Sequence, residues 1–243
     1  MLLNCDLGES YGSWSMGMDE QVMPFIDQAN IACGFHGGDP VTICHTLRLA
    51  AKHSVLVGAH PAYPDLVGFG RRSMNLSREE IVACVLYQVS ALDGMSASLG
   101  VELGYVKPHG ALYNDMMAKS EVRAAIMEAV ISFHRPLKLM LQATPAAKLI
   151  REEASEIGLE LSFEAFADRC YDDDGKLLAR SKSGAVHNRE KMLAQVEQLR
   201  ALGTVTTVSG HSLSLEADTL CVHGDNVEGV RAIEEIRALV DGS

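Results

Sequence analysis

The chain has 243 residues, a formal charge of −11 at pH 7, 47% hydrophobic residues and 22% charged ones. That length allows one large domain with a substantial core, and the balance is that of a soluble globular protein. The acidic excess argues against nucleic acid or an anionic membrane as a main partner. No apolar run is long enough to cross a bilayer, and the opening Met1-Leu2-Leu3-Asn4-Cys5-Asp6 lacks the basic and long apolar segments of a signal peptide. The six cysteines are scattered without a C-x-x-C pair, which predicts reduced thiols in a cytoplasmic protein.

Leu2 to Asp6 is a short apolar run ending in an acid and reads as a first strand, with Asp6 and Glu9 at its C-terminal mouth. A helix is expected over Met16 to Ile26, its ends limited by Gly17 and Pro24. Ala29 to Cys33 reads as a second strand leading into Gly34-Phe35-His36-Gly37-Gly38-Asp39-Pro40. Asp39 suits an N-cap and Pro40 the first helical position, so a helix should run from there to about His53. Three glycines before a helix can also let backbone N–H groups approach an anion. Val55 to Ala59 is a third strand that delivers His60, followed by a Gly- and Pro-rich loop to Arg71 and Arg72 that reads as a lid or rim. Ser77 and Glu80 form a capping-box pattern before a helix with Ile81, Val85, Val89 and Leu92 at core spacing.

Tyr105 and Val106 end a fourth strand, because Pro108 removes a ladder donor and biases Lys107 toward extended backbone. The strand delivers Lys107 and His109, and one helix is expected from about Ala111 to Phe133. Leu137 to Leu141 is a fifth strand ending near Gln142, and Pro145 opens a helix that closes near Gly158. Leu159 to Phe163 is a sixth strand, followed by Glu164, Asp168 and Arg169. Asp173-Asp174-Gly175 is a hairpin-turn signal. A helix over Arg189 to Leu202 precedes a strand at Val205 to Val208, and Leu220 to Val222 is the last central strand, ending in His223-Gly224-Asp225. An amphipathic helix from Val227 to Val240 closes the chain. This alternation predicts an α/β fold with a parallel sheet, open or closed, in a single domain over residues 1–243.

Ionisable groups therefore stand at six strand ends: Asp6/Glu9, His36, His60, Lys107/His109, Glu164/Asp168/Arg169 and His223/Asp225. Each has a plain alternative: Asp39 and Asp225 suit helix caps, the Asp172 to Asp174 run suits a solvated turn, and Cys33 and Cys221 suit packing. Taken together they favour a shared cleft, because scattering unpaired charges over one buried sheet face costs several kcal/mol each. Two chemistries fit that cleft. Asp6 with His36 and His60 makes a carboxylate-plus-imidazole set suited to a divalent metal. The other is metal-free acid–base catalysis, with Lys107 and Arg169 steadying an anion or oxyanion. No phosphate loop, dinucleotide fingerprint or G-x-S-x-G elbow occurs.

Asp6-Leu7-Gly8-Glu9-Ser10, Asn30 to Pro40, Val57 to Asp65 with Gly68 to Arg72, Tyr105 to Asn114, Glu164 to Arg169 and Cys221 to Asp225 resemble the LamB/YcsF family in order over the whole chain. One departure is Gly37, where the family pattern has alanine and a slightly looser turn is expected. The resemblance implies a seven-stranded (β/α) barrel similar to glycoside hydrolase/deacetylase barrels, which often bind a metal. It also implies the role of the A subunit in a cytoplasmic, ATP-dependent 5-oxoprolinase that opens 5-oxo-L-proline to L-glutamate together with two further subunits, B and C. In that reading Asp6, Glu9, Lys107, His109, Asp168 and Arg169 are the catalytic candidates. His36, Arg71, Arg72, Glu164, His223 and Asp225 are the substrate-binding candidates. ATP would sit in an atypical way on this chain or mainly on a partner, and Lys107→Met is expected to abolish turnover while leaving the fold intact. A metal-dependent carbohydrate deacetylase on the same barrel, or a non-enzymatic carrier of a small ligand, is the competing reading.

Overall fold

The computed structural model describes residues 1–224 and 226–242. Strands β1 (Leu2–Leu7), β2 (Gln28–Ala32), β3 (Leu56–His60), β4 (Leu103–Val106), β5 (Lys138–Gln142) and β6 (Leu161–Phe166) lie side by side in chain order. The short β7 (Thr204–Thr206) and β8 (Ser212–Ser214) pair antiparallel with each other outside this sheet. Strand β9 (Thr219–His223) then pairs parallel with both β1 and β6 and closes a seven-stranded barrel. The expected strand at Val205 to Val208 is thus the start of an external ribbon, and the wall is completed by the later apolar run.

Closure follows from burial on both strand faces. One face packs on surrounding helices; the other fills the barrel. The interior positions recur at every second residue: Asn4 and Asp6, Gly58 and His60, Tyr105 and Lys107, Cys221 and His223. All but the partly exposed His223 are buried. The outward alternates, such as Leu3, Cys5, Leu7, Val57, Ala59 and Val106, join the apolar core. Tyr105 fits the interior because Gly58 faces it on the neighbouring strand: a Cβ on Gly58 would collide with the Tyr105 ring.

The outer helices begin where the sequence signals place them. Helix α2 (Pro40–His53) is capped by Asp39, whose Oδ1 accepts from Val41 N at 2.9 Å and Thr42 N at 3.0 Å. Helix α3 (Arg78–Ala97) carries the complete Ser77/Glu80 capping box. Four expectations are corrected. The segment from Met16 to Ile26 holds only α1 (Asp19–Val22) and a 3-10 turn at Met23–Phe25, because Pro24 lacks the donor a longer helix needs. The helix after β4 is two, α4 (Gly110–Ala118) and α5 (Ser120–Ile131), separated by the extended residue Lys119. The six-residue step from Met116 to Val122 breaks the helical phase of the apolar stripe, and the break restores it. Further along, α6 (Ala147–Glu156) and α7 (Arg189–Leu202) pack outside the barrel, and the closing helix divides at Ala232 into α8 (Val227–Arg231) and α9 (Ile233–Asp241). Finally, two of the three glycines before α2 spend their N–H groups within the protein instead of on an anion: Gly34 N donates to Gly37 O and Gly38 N to Ser10 O, as does Asp39 N.

Gly58→Ala should destabilise the barrel by about 3 kcal/mol, since the added methyl must displace a buried, hydrogen-bonded tyrosine. Urea denaturation checks this, and an unchanged midpoint would contradict the interior packing described.

Candidate active site

The strand C-termini converge on one mouth above a cavity of ≈ 450 Å³. Asp6, His60, Arg71, Lys107, His109, Arg169 and His223 all line it. The floor is formed by Lys107, 2% exposed, whose Nζ donates to Asp6 Oδ1 at 2.9 Å and lies 3.0 Å from Glu164 Oε2 and 3.2 Å from Cys221 Sγ. Burial alone would push the Lys107 amine down and the Asp6 carboxyl up. The mutual attraction outweighs burial: Lys107 is held well above the ordinary lysine value, and Asp6 well below the usual carboxylate range, with His60 helping at Asp6. Around the pair runs a fixed hydrogen-bond ladder: Asn30 Nδ2 donates to Asp6 Oδ1 and Asn4 Oδ1 at 2.8 Å each, and Tyr105 Oη donates to Asn30 Oδ1 at 2.6 Å. Tyr113 Oη donates to Glu164 Oε1 at 2.8 Å.

On one flank stand Glu9, His36, His60 and His109, with four ligand atoms all within 4.8 Å of one another. His60 Nδ1 lies 2.6 Å from Lys107 O, and His109 Nε2 lies 2.9 Å from Phe69 O. A carbonyl only accepts, so each of these nitrogens carries the hydrogen. The remaining nitrogens, His60 Nε2 and His109 Nδ1, then face each other lone pair to lone pair at 3.0 Å. They repel unless a proton or a metal ion lies between them. His36 Nε2 approaches Glu9 Oε1 at 3.1 Å, and His109 Nδ1 is 3.5 Å from the same oxygen. His36 Nδ1 is buried with no hydrogen-bond partner among the described residues. Burial first, and then neighbouring imidazoles, depress both His36 and His109, which keeps their rings neutral as ligands must be. Three of the six donor-atom separations, 3.0, 3.1 and 3.5 Å, lie near the edge of about 3.4 Å that tetrahedral bonds of about 2.1 Å would give. The His36 and His109 rings stack face to face with centroids 3.6 Å apart, so the set could hold a divalent ion once one of the two rings turns.

The expected metal set is regrouped. His36 and His60 belong to this cluster, but the oxygen Asp6 turns inward is taken by Lys107 and Asn30, and Glu9 and His109 stand in its place. Asp6 Oδ2 remains a neighbour, 3.5 Å from His60 Nε2.

On the opposite flank, His223 Nδ1 lies 2.9 and 3.1 Å from the two oxygens of Asp168, which is completely buried. Burial pushes the Asp168 carboxyl up, but His223 and a hydrogen bond from Asn226 outweigh it and leave it below the ordinary value.

The remaining candidates divide. Arg169 lines the cavity and is aimed by two backbone carbonyls, its Nη2 donating to Leu178 O at 2.6 Å and its Nε to Ala185 O at 3.3 Å. Arg71 lies on the rim over the Phe69 ring. Arg72 turns away and pairs with Asp65, bracing the 65–72 loop outside the cavity, so its substrate-binding assignment is withdrawn. Glu164 is fully buried, is not among the residues lining the cavity, and meets Lys107 and Tyr113. Asp225 lies outside the described residues. Gly37 also has a firmer role than loosening a turn: a Cβ there would come within 2.6 Å of Glu9 O, so the glycine lets the His36 loop close behind Glu9. Asn4, Asn30, Tyr105, Tyr113 and Asn226 were missed by the sequence reading. For the first three the signal was present as polar residues at every second position of an apolar strand.

A closed parallel barrel whose strand ends gather carboxylates, imidazoles and an arginine around one cavity has the build of a barrel enzyme. Comparison with known sequences narrows the class: the chain belongs to the LamB/YcsF family, whose pattern matches residues 1–243. It is 51% identical over 242 residues to the A subunit of 5-oxoprolinase from Chromohalobacter salexigens, covering 99% of this chain and 97% of that one. It is 51% identical over 238 residues to the A subunit of 5-oxoprolinase from Pseudomonas fluorescens, covering 98% and 95%. Among solved structures, the lactam utilization protein from Thermus thermophilus matches with a TM-score of 0.90 at 40% identity, covering 100% of this chain and 96% of the other.

The buried pair revises what Lys107→Met does. Removing the cation strands two buried carboxylates, so the variant should lose about 3–5 kcal/mol of stability at pH 7. In the wild type, the depressed Asp6 contributes fully above about pH 4 and its contribution is lost as pH falls through its folded value. In the variant Asp6 keeps its burial and loses its main cation, so its carboxyl moves up and the penalty eases as pH falls. Urea denaturation across pH reads this as a gap between the two proteins that narrows on acidification, whereas equal stability at pH 7 would contradict the pair.

Proposed function

We propose that this chain is the lactam-opening subunit of an ATP-dependent 5-oxoprolinase. It acts in the cytoplasm with two further subunits, B and C, on the reaction 5-oxo-L-proline + ATP + two H2O → L-glutamate + ADP + phosphate. The observation that carries this reading is identity of half the residues, over nearly the full length of both chains, with relatives named as the A subunit of 5-oxoprolinase. The chemistry suits the cavity. A lactam amide is resonance-stabilised, so hydrolysis needs an activated carbonyl, a protonated leaving nitrogen and a group to hold the substrate carboxylate. Arg169 supplies the last of these, preset by its backbone contacts. The Asp6–Lys107 pair lines the floor and presents a fixed dipole to the reacting carbon. The sequence holds no phosphate loop, which suits ATP bound in an atypical way on this chain or mainly on a partner.

Glu9, His36, His60 and His109 would hold a divalent ion, which when bound supplies a Lewis acid and an acidified water. These same residues underlie the second reading, a self-sufficient metal-dependent deacetylase.

One assay separates the two. Glutamate and ADP should appear from 5-oxoproline and ATP when this chain is combined with its two partners, and not from the chain alone. Release of acetate from acetylated sugars by the chain alone, with no lactam opening by the complex, would overturn the proposal. Elemental analysis of the purified chain should find roughly one divalent ion per molecule, lost in His60→Ala and His109→Ala. Full-length, folded protein without metal after incubation with zinc, manganese or nickel would assign the gap between the two rings to a proton.

A further inference from the structure

The flank opposite the imidazole cluster carries a second arrangement that none of the relatives' names assigns. His223 is the last residue of β9, and Asp168 follows β6, the strand beside it in the barrel wall. Both oxygens of the buried Asp168 are turned toward His223 Nδ1, and Asn226 Nδ2 donates to Oδ2 at 3.1 Å. An ionised carboxylate only accepts, so Nδ1 carries the hydrogen and Nε2 keeps its lone pair. The ring lies nearly parallel to Phe166, with centroids 5.4 Å apart, which fixes its plane. Asp168 has no exposed side-chain surface, whereas His223 is 14% exposed and lines the cavity. An imidazole tied at one nitrogen to a buried acid, with the other nitrogen available to a cavity, has the form of an oriented general base.

We propose that His223 is the proton-transfer group of the ring-opening step and that Asp168 is its positioning residue; this rests on the lactam-opening reading above. The step balances as the addition of one water across the C–N bond. The water oxygen bonds to the activated carbonyl carbon while its proton passes to His223 Nε2. When the C–N bond breaks, its electron pair stays on the ring nitrogen, which takes the proton back from His223. The buried Asp168 carboxylate stabilises the imidazolium formed in between. Among the described residues, the charged and titratable groups about the ring and its carboxylate are Asp6 from β1, Asp168 after β6, Cys221 on β9, Lys107 after β4, 5.6 Å from the Phe166 ring, and the guanidiniums of Arg169 and Arg180. Lys107 is shared between Asp6 and Glu164, and Asp168 is the carboxylate in hydrogen-bond contact with the ring and so the one that sets its tautomer.

The test uses the complex reconstituted from this chain and its two partners. His223→Ala should lower kcat on the order of 10²–10⁴-fold with KM within threefold, and added imidazole should restore part of the loss. Asp168→Asn should lower kcat and move the acidic limb of its pH profile, a response that a purely structural residue would not produce. Metal content should match wild type in His223→Ala; its thermal midpoint should fall, because the buried Asp168 loses its partner, and His223→Gln, whose amide can still donate to Asp168, serves as a second variant if alanine unfolds the chain. A folded His223→Ala within threefold of wild-type kcat would overturn the proposal while leaving the lactam-opening reading standing. An inactive wild-type complex would overturn that reading instead. The tautomer is read without any turnover, by nitrogen-15 NMR of the labelled chain. Hydrogen on Nδ1 in the wild type, lost from that position in Asp168→Asn, supports the assignment, and hydrogen on Nε2 overturns it.

Discussion

The Lys107 ammonium, enclosed between Asp6 and Glu164, is the constraint on which the rest of the barrel depends. A barrel interior normally fills with apolar layers, and here the layer beneath the mouth is ionic. Three charges out of water are tolerable only when each finds its partner and its hydrogen bonds. That requirement fixes three strands relative to one another: Asp6 on β1, Lys107 after β4 and Glu164 on β6 must meet at one height. Asn4, Asn30 and Tyr105 complete the layer, and Gly58 makes room for the tyrosine ring. Packing and function are therefore linked, because the residues that close the barrel also shape the floor of its cavity.

From this floor the mouth divides into two flanks of different chemistry. One holds His36 and His109, kept neutral by burial and by neighbouring imidazoles, with the ring nitrogens of His60 and His109 opposed closely enough to take a cation between them. The other holds an imidazole tied to a buried carboxylate. Asp6 lies between the two, close to His60 on one side and His223 on the other. The strand order β9–β1–β2–β3 is what makes this division, by setting β1 between the donors of the last strand and those of the third.

Much of this was legible in the chain itself, for physical reasons. Strands that end in ionisable residues, Asp39 before Pro40 and the Ser77/Glu80 box all express local rules, and the structure follows them. What local rules do not carry is which strands become neighbours. The metal set was expected around Asp6 because the sequence does not say that Lys107, a hundred residues later, claims that carboxylate. Arg72 was grouped with Arg71 by adjacency, yet consecutive residues in a turning loop point in different directions, and Asp65 captures the second guanidinium. The inward-facing Asn4, Asn30 and Tyr105 were overlooked because each, taken singly, interrupts an apolar run without forming a motif. The skipped ribbon of β7 and β8 shows the same limit, since short β-rich runs do not announce which sheet they join.

The charge state of Lys107 is the most direct measure of this account. Nitrogen-15 NMR of the intact chain labelled at lysine can follow that amine through an alkaline titration. The Asp6–Lys107–Glu164 arrangement predicts a protonated amine that persists beyond the ordinary lysine value of about 10.4, to the edge of the folded range. An amine that loses its proton near neutral pH would contradict it, because an uncharged Lys107 could not hold two buried carboxylates together.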